Sequence, residues 1–197
     1  YKTPAKEKIL SKHAGGDTDE VVEKDDTKST VHKFPTVLGT MVPRLMEVLV
    51  VSGNMVNVKM AVREIVDEYA VPEINGYEND FISALYKVAE TVRTGGYEQT
   101  NGTEKNVLNT LLTADEVYCE MPFSFKEDED GTVTVWEGII DVIYRKAGKW
   151  HIIDYKTNLD GTDLDEKYHN QLTEYVKAFK EITGEEADAS IYHIQID

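Results

Sequence analysis

The sequence predicts an α/β domain in which helices flank a mixed β-sheet and the N-terminal half of the chain is helical. Two observations predict this class. Apolar residues recur at helical spacing as far as Leu112, whereas short runs rich in Val, Ile, Thr and aromatic residues begin at Glu116. The chain has 197 residues, of which 41% are hydrophobic and 29% charged. This length and balance suit one domain with a sizeable core.

The first half divides into a polar segment and several helices. Residues 1–34 are of mixed charge and are predicted to be a connector or peripheral segment, and residues 35–197 are predicted to form the domain. Thr40 is the predicted N-cap of a helix that reaches Val51. Gly, Asn and Pro separate the further helices that we predict. These helices span residues 56–69, 77–92 and 104–112.

The sequence of the second half predicts several strands and a single helix. Residues 117–126, 132–145 and 150–156 read as an antiparallel meander with intervening turns. An apolar stripe over 168–182 predicts a helix that Gly184 ends, and 189–196 returns as a strand. A strand–helix–strand crossover favours parallel pairing, so the sheet should be mixed.

Charge and cysteine content limit the function. The net charge of −16 counts against a self-sufficient DNA binder, because such proteins usually carry a basic surface. An acidic surface is compatible with DNA chemistry if another domain delivers the strand and bound cations offset the charge. The single cysteine, Cys119, excludes internal disulfides and four-cysteine metal sites, and it suits a reducing cytoplasm. No apolar run approaches the roughly 20 residues of a membrane span. Both ends resemble cuts from a longer protein.

Two acids and a lysine are the candidate catalytic and metal-binding residues. Asp154 and Lys156 face the same side of one predicted strand, and Asp141 lies on its hairpin neighbour. Both strands are otherwise apolar, and buried charges need partners or a metal. Two carboxylates with the backbone carbonyl of Tyr155 would suit Mg²⁺ or Mn²⁺. Lys156 would then orient the attacking water or neutralise charge on a phosphate. The alternative is a structural Asp–Lys pair.

Four motifs follow one another along the chain: Glu120-Met121-Pro122-Phe123, Glu137-Gly138-Ile139-Ile140-Asp141, Asp154-Tyr155-Lys156-Thr157 and Gln171-x-x-x-Tyr175. Their order and spacing resemble the RecB-like branch of the PD-(D/E)xK nucleases, most closely the nuclease domain of AddA-type helicase–nuclease subunits. The resemblance begins near Leu38 and continues to the C-terminus.

The resemblance implies a restriction-endonuclease-like core and a Mg²⁺- or Mn²⁺-dependent deoxyribonuclease of the exonuclease type. It further implies a cytoplasmic nuclease module in double-strand-break repair and recombination, with no membrane partner. The implied partners are single DNA strands, a helicase domain of the same polypeptide and a second, AddB-like subunit. The single cysteine separates the chain from relatives that carry an iron–sulfur cluster.

The resemblance also implies roles for further residues. Gln171, expected to be catalytic, and Tyr175, expected to bind substrate, share one helix face that looks onto the metal site. Glu120 matches an acid of the family pattern and either assists metal binding or anchors a strand. Glu47 is another candidate metal ligand. The alternative for both Tyr168 and Tyr175 is a core residue with a satisfied hydroxyl, and this is the prediction for Tyr168.

One position departs from the family pattern, which has G-T-x-x-H followed by Glu four residues later. This chain has Gly39-Thr40-Met41-Val42-Pro43 and then Glu47, so the metal-binding histidine is replaced by proline. A helix that begins near Thr40 would place Pro43 in its first turn, where the missing N–H costs little. Many PD-(D/E)xK enzymes work without a histidine, so the resemblance implies that activity is weakened rather than lost. The alternative is a degenerate module that binds DNA or a partner subunit without cutting.

Two histidines are the nearby substitutes for the missing one, His32 by sequence position and His169 by motif position. Each is predicted to be a surface residue.

Overall fold

The computed structural model describes residues 8–13, 30–99, 102–129, 132–157 and 168–196. Within these ranges the helical first half and the mixed sheet of the second half are confirmed. The helices are α1 (Pro35–Ser52), α2 (Val58–Glu68), α3 (Glu78–Thr94), α4 (Val107–Leu112) and α5 (His169–Thr183). The strands are β1 (Lys8–His13), β2 (Glu116–Glu129), β3 (Thr132–Lys146), β4 (Lys149–Lys156) and β5 (Ala187–His193).

The sheet has the predicted mixture of strand directions. Strands β2, β3 and β4 form an antiparallel meander, and α5 crosses over so that β5 pairs parallel to β4. Gly184 ends α5 with a φ of 75°, a left-handed conformation that glycine adopts without steric cost.

Strand β3 has a gap along one edge. Strand β2 pairs along one edge of β3, whereas β1 and β4 share the other edge. Strand β1 runs parallel to residues 132–137, and β4 runs antiparallel to residues 142–146. Among the described residues, 138–141 therefore have no strand partner on that edge. The sequence did not predict β1, which lies within the segment expected to be a connector.

The regular alternation of side chains along β2 and β3 is broken at one point. In a regular strand, residues an even number apart face the same side. However, Cys119 and Val142 pack against the helical core, whereas Phe123 and Ile140 pack on the α5 side. The pairing between the strands is interrupted where Glu120 lies opposite Asp141, and Glu120 has a φ of 50°. At these two acids, the side chains that faced the helical core begin to face α5, and the reverse.

Helix α1 is the centre of the larger core. Pro43 is buried on this helix, as are six residues that are at most 1% exposed: Leu38, Met41, Val42, Leu45, Met46 and Leu49. By length and composition alone, this one helix in the described part of the chain could cross a membrane. Its apolar face packs instead against the other helices and one side of the sheet. A smaller core lies between the opposite side of the sheet and α5.

The predicted start of α1 is wrong. The helix begins at Pro35, and the Thr40 hydroxyl donates a hydrogen bond within the helix to the Thr36 carbonyl at 3.0 Å. Proline is favourable at the first helical position, and Leu38 already packs in the core. Pro43 therefore lies inside the helix rather than in its first turn. There it lacks the N–H that would bind the Gly39 carbonyl, at a typical cost of about 3 kcal/mol.

The histidines differ in their surroundings. His32 is buried beside the fully buried Val31, and its Nε2 donates a hydrogen bond to the Ile196 carbonyl at 2.8 Å. The predicted surface position of His32 is therefore wrong, because the imidazole ties the start of the domain to its last strand region. His169 is exposed, as predicted.

Candidate active site

Asp141 holds the edge of β4 at the gap in β3. The ladder between these strands ends at the pair Val142–Ile153. Beyond it, the Asp141 Oδ2 atom accepts a hydrogen bond from the backbone N–H of Tyr155 at 2.6 Å. The side chain thus replaces the backbone partner that the ladder would have supplied, and it keeps a carboxylate beside β4.

The carbonyl of Tyr155 faces the same gap. The N–H and C=O groups of one strand residue point to the same edge, and those of successive residues alternate. The Tyr155 N–H is directed at Asp141, whereas the Lys156 carbonyl accepts a hydrogen bond from Ile194 on the opposite edge. Tyr155 therefore presents a backbone oxygen on the side of Asp141, where the predicted third metal ligand should lie.

Asp154 and Lys156 are buried together on the face of β4 that α5 covers. Asp154 is 2% exposed and Lys156 is 8% exposed. The Lys156 Nζ atom lies 3.0 Å from the Asp154 Oδ2 atom, so the two charges form an ion pair. The same-side placement predicted from strand alternation is thus found in the structure.

The two carboxylates influence each other electrostatically. Burial raises the pKa of Asp141 well above its usual value, and the negative charge of Asp154 raises it further. The hydrogen bond from Tyr155 lowers this pKa in part. A divalent cation between the carboxylates would favour both ionised forms, and its preferred oxygen ligands are the atoms present. The donor set therefore fits Mg²⁺ or Mn²⁺.

The described ranges contain no group of three His, Cys, Asp or Glu side chains arranged to hold a metal. Other ligands would have to complete the coordination shell. Besides water, two candidates are the Tyr155 carbonyl and the Glu120 carboxylate, whose charge also raises the pKa of Asp141.

Glu120 is a candidate for that role. Its Oε1 atom is buried and has no hydrogen-bond partner in the part of the chain that the structure describes. Burial raises the pKa of Glu120, and the charge of Glu47 raises it further. Glu47 itself binds the Nη1 atom of Arg44 at 2.5 Å. Glu47 thus has a cationic partner already, whereas the orphaned oxygen of Glu120 favours the metal-ligand interpretation.

Gln171 and Tyr175 form a hydrogen-bonded pair next to Asp154. The Gln171 Nε2 atom donates a hydrogen bond to the Tyr175 hydroxyl at 2.8 Å. That hydroxyl is hydrogen-bonded to Asp154, and burial with the nearby acids raises the pKa of Tyr175. Tyr175 is 2% exposed, so it is not available to contact DNA directly as predicted. Gln171 and Tyr175 thus form one hydrogen-bonded chain with Asp154, and the catalytic role of Gln171 stays a prediction.

This hydrogen-bond chain makes a prediction about metal affinity. Tyr175→Phe removes the hydroxyl that orients Asp154, and it should weaken Mn²⁺ binding by about 10- to 100-fold. Calorimetric titration of Mn²⁺ measures this loss. Tyr118→Phe is the matched control, because the Tyr118 hydroxyl binds Glu116 on the surface. Equal Mn²⁺ affinities for the two variants would show that the Tyr175 hydroxyl does not support metal binding.

The fold and the site together define an α/β domain with an acidic site at a gap in its sheet. The family model of the PD-(D/E)XK nuclease superfamily matches residues 20–196, and the chain therefore belongs to that superfamily. The matched range includes the paired acids and the lysine. The nuclease family and the mixed α/β fold predicted from the sequence are confirmed.

The curated relatives are helicase/nuclease subunits of the AddA type. The chain is similar to the ATP-dependent helicase/nuclease protein of this type from Staphylococcus epidermidis, with 31% identity over 100 residues, or 42% of this chain and 8% of the relative. The protein of the same name from Staphylococcus haemolyticus is 25% identical over 142 residues, or 62% of this chain and 12% of the relative. The matched region is thus about a tenth of each relative.

Among solved structures, the crystal structure of SSO0001 aligns with 81% of this chain and 61% of its own, with 18% identity and a TM-score of 0.37.

Proposed function

We propose that this domain is a Mg²⁺- or Mn²⁺-dependent deoxyribonuclease of the exonuclease type. The observation behind the proposal is the group formed by the partly buried Asp141 and the buried Asp154 and Lys156, beside the gap in β3. An apolar sheet accepts two acids and a lysine only where they serve one another or a bound cation. In a PD-(D/E)XK chain, hydrolysis of a phosphodiester bond accounts for that group best.

The residues have distinct tasks in this proposal. Asp141, Asp154 and the Tyr155 carbonyl would hold the cation, with Glu120 as a further candidate ligand. A bound cation supplies positive charge to the phosphate and lowers the pKa of a water molecule. Lys156 donates hydrogen bonds, either to the attacking water or to the phosphate oxygens on which charge develops.

The wider role rests on the names of the relatives. We propose that the domain cuts single strands delivered by a helicase domain of the same polypeptide, in double-strand-break repair and recombination in the cytoplasm. An AddB-like subunit is the proposed partner. Delivery by a helicase would relieve the domain of binding DNA unaided, which is consistent with a net charge of −16. An iron–sulfur cluster typically needs four cysteine thiolates, whereas this chain has only Cys119.

A second candidate is a catalytically degenerate module that binds DNA or a partner subunit. Pro43 in place of the family histidine and the strongly negative charge favour it. The two functions differ in one assay, the degradation of end-labelled single-stranded DNA with Mg²⁺ or Mn²⁺. The nuclease loses activity on addition of EDTA and on Asp141→Asn. A binding module leaves the DNA intact under every condition.

Pro43 allows a prediction about metal preference. Pro43→His would add an imidazole one helical turn before Glu47, and imidazole suits Mn²⁺ better than Mg²⁺. We therefore expect tighter Mn²⁺ binding, with a smaller gain for Mg²⁺, in calorimetric titrations. Pro43→Ala is the control, because it restores the same backbone N–H without an imidazole. If the histidine and alanine variants bind both ions equally, position 43 does not face the metal.

A further inference from the structure

In the described part of the chain, the Lys156 ammonium lies beside two groups of different kinds. One is the Asp154 carboxylate at 3.0 Å, and the other is the ring of Tyr168, whose centroid lies 4.4 Å from Nζ. Lys156 is only 8% exposed, so its ammonium has lost most of its hydration. Within about 6 Å, the face of an aromatic ring attracts a cation, more strongly when both are shielded from water.

The ion pair with Asp154 does not by itself fix the direction of the ammonium. The two residues lie on the same strand with Tyr155 between them, and a lysine side chain has a flexible four-carbon stem. Asp154 is also expected to share its negative charge with a bound cation, which would repel the ammonium. The Tyr168 ring contacts Lys156 from a different element and does not depend on the charge of Asp154.

Tyr168 is itself held in place. It is 9% exposed and packs with Leu172 and Ile191 in a small cluster between α5 and β5. Its carbonyl accepts a hydrogen bond from the Leu172 N–H at 3.0 Å, at the point where α5 begins. A ring fixed by packing and by the helix start gives the ammonium a neighbour of fixed position.

We propose that Tyr168 is a positioning residue that holds the Lys156 ammonium at the reacting phosphate; this inference rests on the proposed nuclease function. Tyr175 binds Asp154 from two turns further along α5. Tyr168 and Tyr175 are seven residues apart and so share a helix face. This face of α5 therefore contacts both Asp154 and Lys156 of β4. The core role predicted for Tyr168 from the sequence is therefore only part of its role.

The test compares three side chains at position 168. Tyr168→Phe keeps the ring face, whereas Tyr168→Leu keeps an apolar side chain without it. On single-stranded DNA with Mn²⁺, we expect Tyr168→Phe to remain within about twofold of the parent. Tyr168→Leu should lose about 3- to 30-fold in kcat with little change in KM, since the ring acts on the reacting group rather than on strand binding. Equal kcat values for the Leu and Phe variants would overturn the proposal.

A matched control separates this effect from general destabilisation. Phe179→Leu makes the same kind of change on the same helix, where Phe179 packs against Trp150 instead of Lys156. It should lower the melting temperature and leave kcat unchanged. If Tyr168→Leu does not fold, Tyr168→Met replaces it, because a flexible thioether fills the space without a ring face.

A measurement without substrate keeps the inference distinct from the proposed function. The Tyr168 ring current should shift the NMR signals of the Lys156 Cε protons upfield, in the parent and in Tyr168→Phe. The shift should disappear in the variant without a ring. Its presence in a parent that cuts no DNA would refute the nuclease while supporting the contact. Its absence from a parent that cuts DNA would refute the contact alone.

Discussion

Lys156→Ala should abolish measurable cleavage of single-stranded DNA, with a loss of about 10²–10³ in rate or more. The Lys156 ammonium lies 3.0 Å from Asp154, and Lys156 is only 8% exposed. Removal of one such electrostatic contact to a developing charge typically costs this much. The rate is followed by release of labelled nucleotides in the presence of Mg²⁺ or Mn²⁺.

Folding must be controlled in this experiment, because Lys156 also neutralises the buried Asp154. Removal of one partner of a buried ion pair destabilises a protein. Rates are therefore compared at a temperature where circular dichroism shows both proteins folded. Lys177→Ala is the matched control, since Lys177 pairs with Glu127 at the partly exposed side of the sheet. If Lys156→Ala cuts as fast as Lys177→Ala, Lys156 is structural and its catalytic assignment is wrong.

The largest effect on stability is expected at Gly96. Its φ of 73° lies in the left-handed region, and a Cβ atom there would be 1.9 Å from the Lys105 carbonyl oxygen. That carbonyl already accepts a hydrogen bond from the Tyr192 hydroxyl at 2.7 Å. Tyr192 is fully buried and packs edge-on against Tyr155 beneath the site. Gly96→Ala should therefore lower the free energy of unfolding by about 4 kcal/mol or more.

Gly76→Ala provides the comparison for this prediction. Gly76 has a φ of 87°, but a Cβ atom there would meet nothing within 4 Å. Gly76→Ala should therefore lower the free energy of unfolding only through backbone strain, by about 1–2 kcal/mol. Denaturant unfolding of the two variants separates strain from steric clash. Similar losses for both would show that the backbone around Lys105 moves aside and that the contact is not rigid.

The elements that the sequence predicted are those with local signals. Strand alternation and turn residues predicted the β2–β3–β4 meander, and helical spacing with Gly184 predicted the crossover by α5. The start of α1 depended instead on packing, because Leu38 is buried before the chain reaches Thr40, the polar residue that resembled a cap. Strand β1 pairs with a segment more than a hundred residues away, and six residues carry no signal for such a partner.

The candidate site divides in the same way. Asp141, Asp154 and Lys156 stood out because charges in apolar strands are costly, and the structure brings all three together. The reversal of the sheet faces at Glu120 was not predictable, because it results from one positive φ and an interrupted pair. The roles of Tyr168 and Tyr175 depend on how α5 lies across β4. The sequence indicated one helix face but not which side chain would contact which strand residue.

Asp141 and Asp154 are proposed to hold one divalent cation together. Anomalous diffraction from crystals soaked in Mn²⁺ tests this proposal most directly. We expect one strong peak about 2.0–2.2 Å from carboxylate oxygens of both residues, with the Tyr155 carbonyl at a similar distance. The peak should disappear in Asp141→Asn crystals treated in the same way. Mn²⁺-soaked crystals without a peak, in which the two carboxylates point away from each other, would contradict the claim.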